Sequence, residues 1–310
     1  MKAVVLSDWG GVENFAIQEI PTPGIKPNEV LVHVKAFGVN PADFKTRTGT
    51  TPYAKNYANP IILGWDMAGE VTEVGSDVTT FKSGDAVYGM VNFPDPGHAY
   101  AEYVAAPADQ LALIPDSLSF EEAAAAPLAV LTAWQALTEH GHLQAGEKVL
   151  VQAAAGGVGH LAVQLAKAMG AYVIGTASGK NEAFVKSLGA DEFIDYTTTP
   201  VEEAVTDVDL VFDTAGADTI FTSAKVLKPN GRLISIAYGA MEKVLAERPD
   251  IHAERILVHT SGADLTVLNQ FIADGKLTIH VNKVLPAGQI AQAHQELESR
   301  RTTGKIVLSF

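Results

Sequence analysis

Between residues 148 and 169 a short apolar segment turns through glycines into an amphipathic one, and this feature constrains the fold more than any other. Lys148-Val149-Leu150-Val151-Gln152 leads into Ala153-Ala154-Ala155-Gly156-Gly157-Val158-Gly159, followed by His160 to Met169. Val149, Leu150 and Val151 form a continuous apolar run suited to a strand buried on both faces. Val158, Leu161, Ala162, Leu165, Ala168 and Met169 recur at helical spacing, with Gln164 and Lys167 on the other side. Gly170 ends that helix, and Ala171 to Thr176 reads as a second strand. A chain turning from strand into helix aims free backbone N–H groups and the positive end of the helix dipole at one spot, which suits a pyrophosphate. Glycine is required where a side chain would block the phosphate or hold helix and strand apart. The spacing is Ala154-x-Gly156-x-x-Gly159, so alanine stands in the first glycine's place. Within this βαβ unit, Ala154, Gly156, Gly157, Val158 and Gly159 are expected to cradle a dinucleotide.

The alternation continues. Glu182 to Leu188 suits a helix ended by Gly189, and Glu192 to Asp195 a third strand. Val208 to Asp213 suits a fourth strand, Ala217 to Leu227 a helix, Arg232 to Ile236 a fifth strand and Ile256-Leu257-Val258 a sixth. Strands alternating with helices imply an α/β fold with a doubly wound parallel sheet, its site beyond the carboxyl ends of the strands. An NAD site places an acid at the end of the second strand, where it binds the ribose hydroxyls. This chain has Ala177-Ser178-Gly179-Lys180-Asn181 there, with Tyr196 just after the third strand. No carboxylate in that stretch repels a 2′-phosphate, while Ser178, Lys180, Asn181 and Tyr196 offer a hydroxyl, a cation, an amide and a phenol. NADPH is the expected cofactor. The plain alternative for Lys180 is a solvated residue at a helix start.

Residues before about 120 read differently. Val30, Val32, Val34 and Ala36 alternate with Leu31, His33 and Lys35, as in a half-exposed strand. Short runs at Ala68 to Val74, Asp85 to Val91 and Tyr100 to Ala106, separated by turn residues, suggest a small β-barrel or sandwich. Gly304 to Leu308 is again a strand, expected to return to that domain. The expected division is 1–120 with 280–310 for the β domain and 121–279 for the dinucleotide domain.

The order of these parts resembles the medium-chain dehydrogenase/reductases, and within them the zinc-free quinone oxidoreductase (zeta-crystallin-like) branch. The residues that carry the resemblance include Gly38-Val39-Asn40-Pro41-Ala42-Asp43, Pro60 to Gly69, Ala99-Tyr100-Ala101-Glu102-Tyr103, Leu131-Thr132-Ala133, Phe212-Asp213-Thr214-Ala215-Gly216 and Ala293 to Glu298. The resemblance implies a GroES-like β-barrel domain plus a Rossmann domain, hydride transfer from NADPH to a quinone or a conjugated enone or enal, and a homodimer paired through its sheet edges at Ile256-Leu257-Val258. It also implies Asn40 beside the nicotinamide, Thr132 near its carboxamide and Tyr53 at the substrate mouth. The plain readings beside these are a turn residue before Pro41 for Asn40, a helix residue bonding its own backbone for Thr132, and an exposed aromatic for Tyr53. The family also contains non-catalytic NADPH-binding proteins, sensors or structural proteins, and this second reading stands beside the enzyme.

The zinc-dependent relatives carry a Cys in the segment matching Gly38-Val39-Asn40 and Gly-His-Glu where this chain has Gly64-Trp65-Asp66. This chain has no Cys. No metal is therefore expected, Trp65 is expected to pack against the cleft floor and Asp66 to be a buried, hydrogen-bonded carboxylate, and the pairs His140/His142 and His294/Glu298 are read as surface groups without further ligands. Without zinc an electron-poor acceptor is the fitting substrate, the work being positioning and electrostatics. A net charge of −14 argues against nucleic acid and membrane surfaces. It also opposes an anionic cofactor at long range, so the helix terminus, Lys180 and Lys305 are expected to supply local positive potential. The apolar stretch Ala123 to Leu131 is short and broken by Pro127, and Met1 to Trp9 lacks the form of a signal peptide, so a cytoplasmic protein is expected.

Overall fold

The computed structural model describes residues 1–310, and two compact units divide them. The first holds residues 1–131, 259–274 and 279–310, the second residues 132–258 and 275–278.

In the second unit the apolar runs form one six-stranded sheet. Its order is Glu192–Asp195, Tyr172–Ala177, Lys148–Val151, Val208–Asp213, Leu227–Ser235 and His252–Arg255, every neighbouring pair parallel. In sequence order this is 3-2-1-4-5-6, the doubly wound arrangement whose order reverses between the first and fourth strands. Leu150, Ile174, Val211 and Leu233 are buried in its core with Ile220 and Val226 of the helix Thr219–Val226. The sixth strand is not Ile256–Val258, as the apolar run suggested, but His252–Arg255, which lies beside Arg232 to Ser235. Ile256 donates once to Ser235 O at 2.9 Å, on the last residue of the partner strand, so the pairing stops there. Ile256 and Val258 are buried.

The first unit carries a seven-stranded sheet. Its path runs Val281–Pro286, Lys305–Ser309, Glu29–Gly38, Asp66–Val74, Ala86–Met90 and Leu111–Leu113, with Tyr103–Pro107 also on Glu29–Gly38. Val30, Val32, Val34 and Ala36 are buried as their alternation implies; Leu31 is buried too, while His33 stacks on Tyr103 and Lys35 pairs with Glu70 at 3.0 Å. The closing strand does return to this sheet: Val307 lies antiparallel to Gly38. Residues 121–131 and 259–274, expected with the dinucleotide domain, group here instead. The helix Phe120–Ala125 lies so close that a Cβ on Gly38 would stand 2.4 Å from Ala124 O. The helix Gly262–Ala273 is seated by Gly262, whose Cβ would meet Leu111 O at 2.3 Å, and Tyr88 donates to Asn269 Oδ1 at 2.6 Å. The ribbon of Lys2–Leu6 with Phe15–Glu19 had no counterpart in the sequence reading. No helix is long and apolar enough to cross a membrane.

Candidate cofactor site and active site

In the second unit the glycine turn joins the strand Lys148–Val151 to the helix Gly159–Ala168. Gly159 is needed for contact: a Cβ there would lie 2.2 Å from Ala153 O and 2.8 Å from Ala154 Cα. A Cβ on Gly156 would meet only Ala153 O, at 3.2 Å. Ala153 itself holds a left-handed backbone, φ 48°. Three groups that the sequence reading did not single out support the turn. Buried His160 places Nδ1 2.9 Å from Gly156 O, which requires the proton on Nδ1. Gln152 accepts from Thr176 Oγ1 at 2.7 Å and donates to Ser223 Oγ at 3.1 Å, tying two strand ends to the helix Thr219–Val226. Gly175 lets the second strand approach, since a Cβ there would stand 3.0 Å from Ala154 Cβ and 2.6 Å from Val185 Cγ1. The first N–H groups of a helix find no partner inside it, and this turn gathers them at the carboxyl ends of the strands.

Ser178, Lys180 and Asn181 follow the second strand, and Tyr196 follows the third; Asp195 lies beside Ala177 in the register, so the four are gathered at adjacent strand ends. Asn181 donates to Ser178 Oγ at 3.2 Å, while Lys180 and Tyr196 are exposed. Glu182, the nearby acid, pairs with Lys186 at 3.2 Å. A second carboxylate, Asp195, belongs to the same surroundings. It accepts from Thr197 Oγ1 and N at 2.6 and 3.0 Å and from Gly179 N–H, and these bonds, the Thr197 hydroxyl first, hold its carboxyl below the usual range. Asp195 thereby anchors the turn that carries Lys180. A glycine facing it was its only trace in the sequence.

In the first unit Asn40 precedes the helix Pro41–Arg47, donates its N–H to Asp43 Oδ2 at 2.6 Å, and accepts from Asp43 N at 3.0 Å. Its side chain is held between opposite charges. Nδ2 donates to Asp66 Oδ2 at 2.9 Å, and Oδ1 accepts from Lys305 Nζ. Lys305 also donates to Val39 O at 3.2 Å and lies 3.7 Å from Asp66, whose other oxygen accepts from Leu128 N at 2.8 Å. All four side chains, Asp43 included, are buried. Burial pushes Asp66 up to about 6 against the pull of Lys305, Asn40 and Leu128 N–H; burial lowers Lys305. Two donors and the ammonium of Lys305 at 3.7 Å all favour the ionised form of this carboxylate. The ammonium of Lys305 is thus committed beside Asn40. Trp65 is buried, donating to Asp95 O at 2.8 Å and set edge-on against Phe93. Tyr53 lies 6.0 Å from Phe93 by ring centroids. Thr132, the first residue of the second unit, is buried within the helix Pro127–Gln135.

His294 is not the surface residue expected. The helix Ile290–Glu298 turns it inward, wholly buried, with Nε2 3.2 Å from Tyr100 OH and Phe15 edge-on at 4.9 Å. Burial, with Arg47 nearby, lowers it to about 3, so it is neutral. Glu298 is taken by Arg47 at 2.5 Å, and His140 by Glu254 at 3.0 Å. No group of three His, Asp or Glu side chains is placed to hold a metal ion.

Comparison with known proteins accords with this geometry. Residues 26–116 match the model of the alcohol dehydrogenase GroES-like domain, and residues 188–308 that of a zinc-binding dehydrogenase. The NADPH-dependent alkenal/one oxidoreductase of Arabidopsis thaliana chloroplasts is 37% identical over 99% of this chain and 79% of its own length. A quinone oxidoreductase of Pseudomonas aeruginosa is 34% identical over 99% of both. The chain belongs to the medium-chain dehydrogenase/reductases. Solved structures of this family superpose closely: the quinone oxidoreductase of Coxiella burnetii has a TM-score of 0.94 at 38% identity, covering 100% of this chain and 99% of that one. The Escherichia coli quinone oxidoreductase complexed with NADPH has a TM-score of 0.90 at 30% identity, covering 100% of both. The second domain model is described as that of a zinc-binding dehydrogenase, and this chain has no Cys.

Proposed function

We propose that this medium-chain reductase is a zinc-independent, NADPH-dependent oxidoreductase that delivers hydride to a quinone or to a conjugated enone or enal. The observation that carries the reading is the strand-end cluster Ser178, Lys180, Asn181 and Tyr196 beside a glycine turn shaped for a pyrophosphate, in a chain 37% identical to an NADPH-dependent alkenal/one oxidoreductase. NADPH, when bound, supplies the hydride. The turn Ala154 to Gly159 offers N–H groups and the helix dipole to the pyrophosphate. Lys180, with Ser178, Asn181 and Tyr196, meets the 2′-phosphate, and Asp195 sets the turn that carries them. Asn40 orients the reactants through its carboxamide, with the charge of Lys305 close behind it. Thr132 and Tyr53 supply a hydroxyl at the carboxamide and a phenol at the substrate mouth. The product oxyanion is protonated by solvent, so no side chain is an indispensable acid. The decisive experiment is oxidation of NADPH, and separately NADH, with 1,2-naphthoquinone and with an enone. Turnover favouring NADPH is expected; binding of NADPH with no turnover of either acceptor would leave the non-catalytic reading standing.

We further infer a homodimer. His252–Arg255 is a free sheet edge, and Leu257 and Tyr238 stand exposed near its ends.

A further inference from the structure

We propose that Asp66 and Lys305 are positioning residues that lock the Asn40 carboxamide in one of its two orientations, leaving one N–H of Nδ2 and one lone pair of Oδ1 at fixed places for the reactants. The inference rests on the proposed function in giving Asn40 a place beside the reacting centre.

A carboxamide is nearly symmetric in shape, and a half-turn about its last bond exchanges a donor for an acceptor. Most surroundings tolerate either orientation, because hydroxyls and waters also exchange roles. Here they cannot. An ammonium only donates and an ionised carboxylate only accepts. Turning Asn40 over would set Nδ2 against Lys305 and Oδ1 against Asp66, converting two attractive contacts into two repulsive ones. The partners are themselves fixed. Asp66 is held through its other oxygen by Leu128 N–H at 2.8 Å, and Lys305 by Val39 O at 3.2 Å. The backbone of Asn40 is pinned independently by Asp43 Oδ2 at 2.6 Å. A turn residue before a proline needs none of this. Two buried opposite charges are costly to keep, and their geometry is the kind that specifies a unique arrangement.

The test combines a double-mutant cycle with a measurement that needs no turnover. Lys305→Met and Asp66→Asn should each lower kcat for quinone reduction about ten- to a hundredfold while the Kd of NADPH, read from its fluorescence, moves less than about threefold. Introduced into Asn40→Ala, either change should cost less than about threefold more, because the residue it acts through is gone. Losses that multiply in full would overturn the proposal. Separately, with asparagine-selective 15N labelling and no cofactor, the Nδ2 proton pair of Asn40, assigned by its disappearance in Asn40→Ala, should exchange slowly with water. In either positioning variant it should shift and exchange faster. A pair unchanged in both variants would refute the lock even if the enzyme proves active. If Lys305→Met does not fold, Asp66→Asn, equal in size, carries both comparisons. Should the wild type reduce no quinone, the functional reading fails, and the amide resonance alone decides whether the lock exists.

Discussion

Lys180 owes its proposed role to its neighbours more than to its own charge. It rides on a turn held by Asp195 and by the Asn181–Ser178 bond. Losing a charge-assisted contact to phosphate costs about 1.5–3 kcal/mol, roughly ten- to a hundredfold in affinity. Lys180→Ala should therefore raise the Kd for NADPH by that factor and leave NADH nearly unchanged; equal weakening of both, by fluorescence titration, would remove Lys180 from phosphate recognition. Asp43 makes a prediction of another kind. Burial first, then the nearby charge of Asp66, pushes its carboxyl up to about 7 from 3.8, against the bond from Asn40 N–H. A folded-state value above the unfolded one means folding takes up a proton, so this group's contribution is present below pH 3.8 and lost as pH rises to about 7. Asp43→Asn keeps an acceptor for Asn40 N–H and removes the titration. Its melting temperature relative to wild type should climb between pH 4 and 7, with a limiting slope of about 1.4 kcal/mol per pH unit; a constant offset would show that Asp43 ionises normally. The glycine turn between strand and helix was legible because local spacing carries it, whereas Asn40 was singled out only through the family resemblance. The partnership of Asn40 with Asp66 and Lys305, and the burial of His294, were not legible, since each joins segments remote in sequence.

At the scale of elements, strands 148–151 and 208–213 fall where the apolar runs put them, because strands buried on both faces need continuous apolar residues. The edge strand escaped that logic. His252–Arg255 is mostly polar, as an exposed edge tolerates, and of the apolar residues after it Ile256 and Val258 are buried while Leu257 stays exposed. The domain division missed that residues 121–131 and 259–274 group with the first unit, since a boundary read from strand patterns does not say which sheet the segments between them cover. The glycine turn gives this scale its prediction. A Cβ on Gly159 meets backbone, not a flexible side chain, so Gly159→Ala must push helix from strand. We expect a loss of about 1–3 kcal/mol in stability and weaker binding of NADPH and NADH alike. By contrast Gly156→Ala, whose Cβ would meet a single atom at 3.2 Å, should melt close to wild type. Equal melting of all three proteins would mean that the turn is not packed as described.

For the whole molecule, the free edge at His252–Arg255 predicts association. Light scattering at micromolar concentration should give twice the chain mass of 32.7 kDa, and a charge-bearing change at the exposed residue beside that edge, Leu257→Glu, should shift it toward the monomer. A monomeric mass for the unmodified protein would rule the homodimer out. The net charge of −14 acts at this scale too, because it disfavours an anionic cofactor everywhere except at the helix terminus and Lys180. The first unit is also discontinuous, and Lys305 lies 265 residues beyond the Asn40 that it holds. During synthesis at about 5–20 residues per second, Asn40 leaves the ribosome roughly 10–50 s before its partner exists. In that interval the glycine turn and its strands, contiguous in the chain, can close into a finished sheet. The unit begun first is completed last, and its amide lock cannot form until nearly the whole chain has been made.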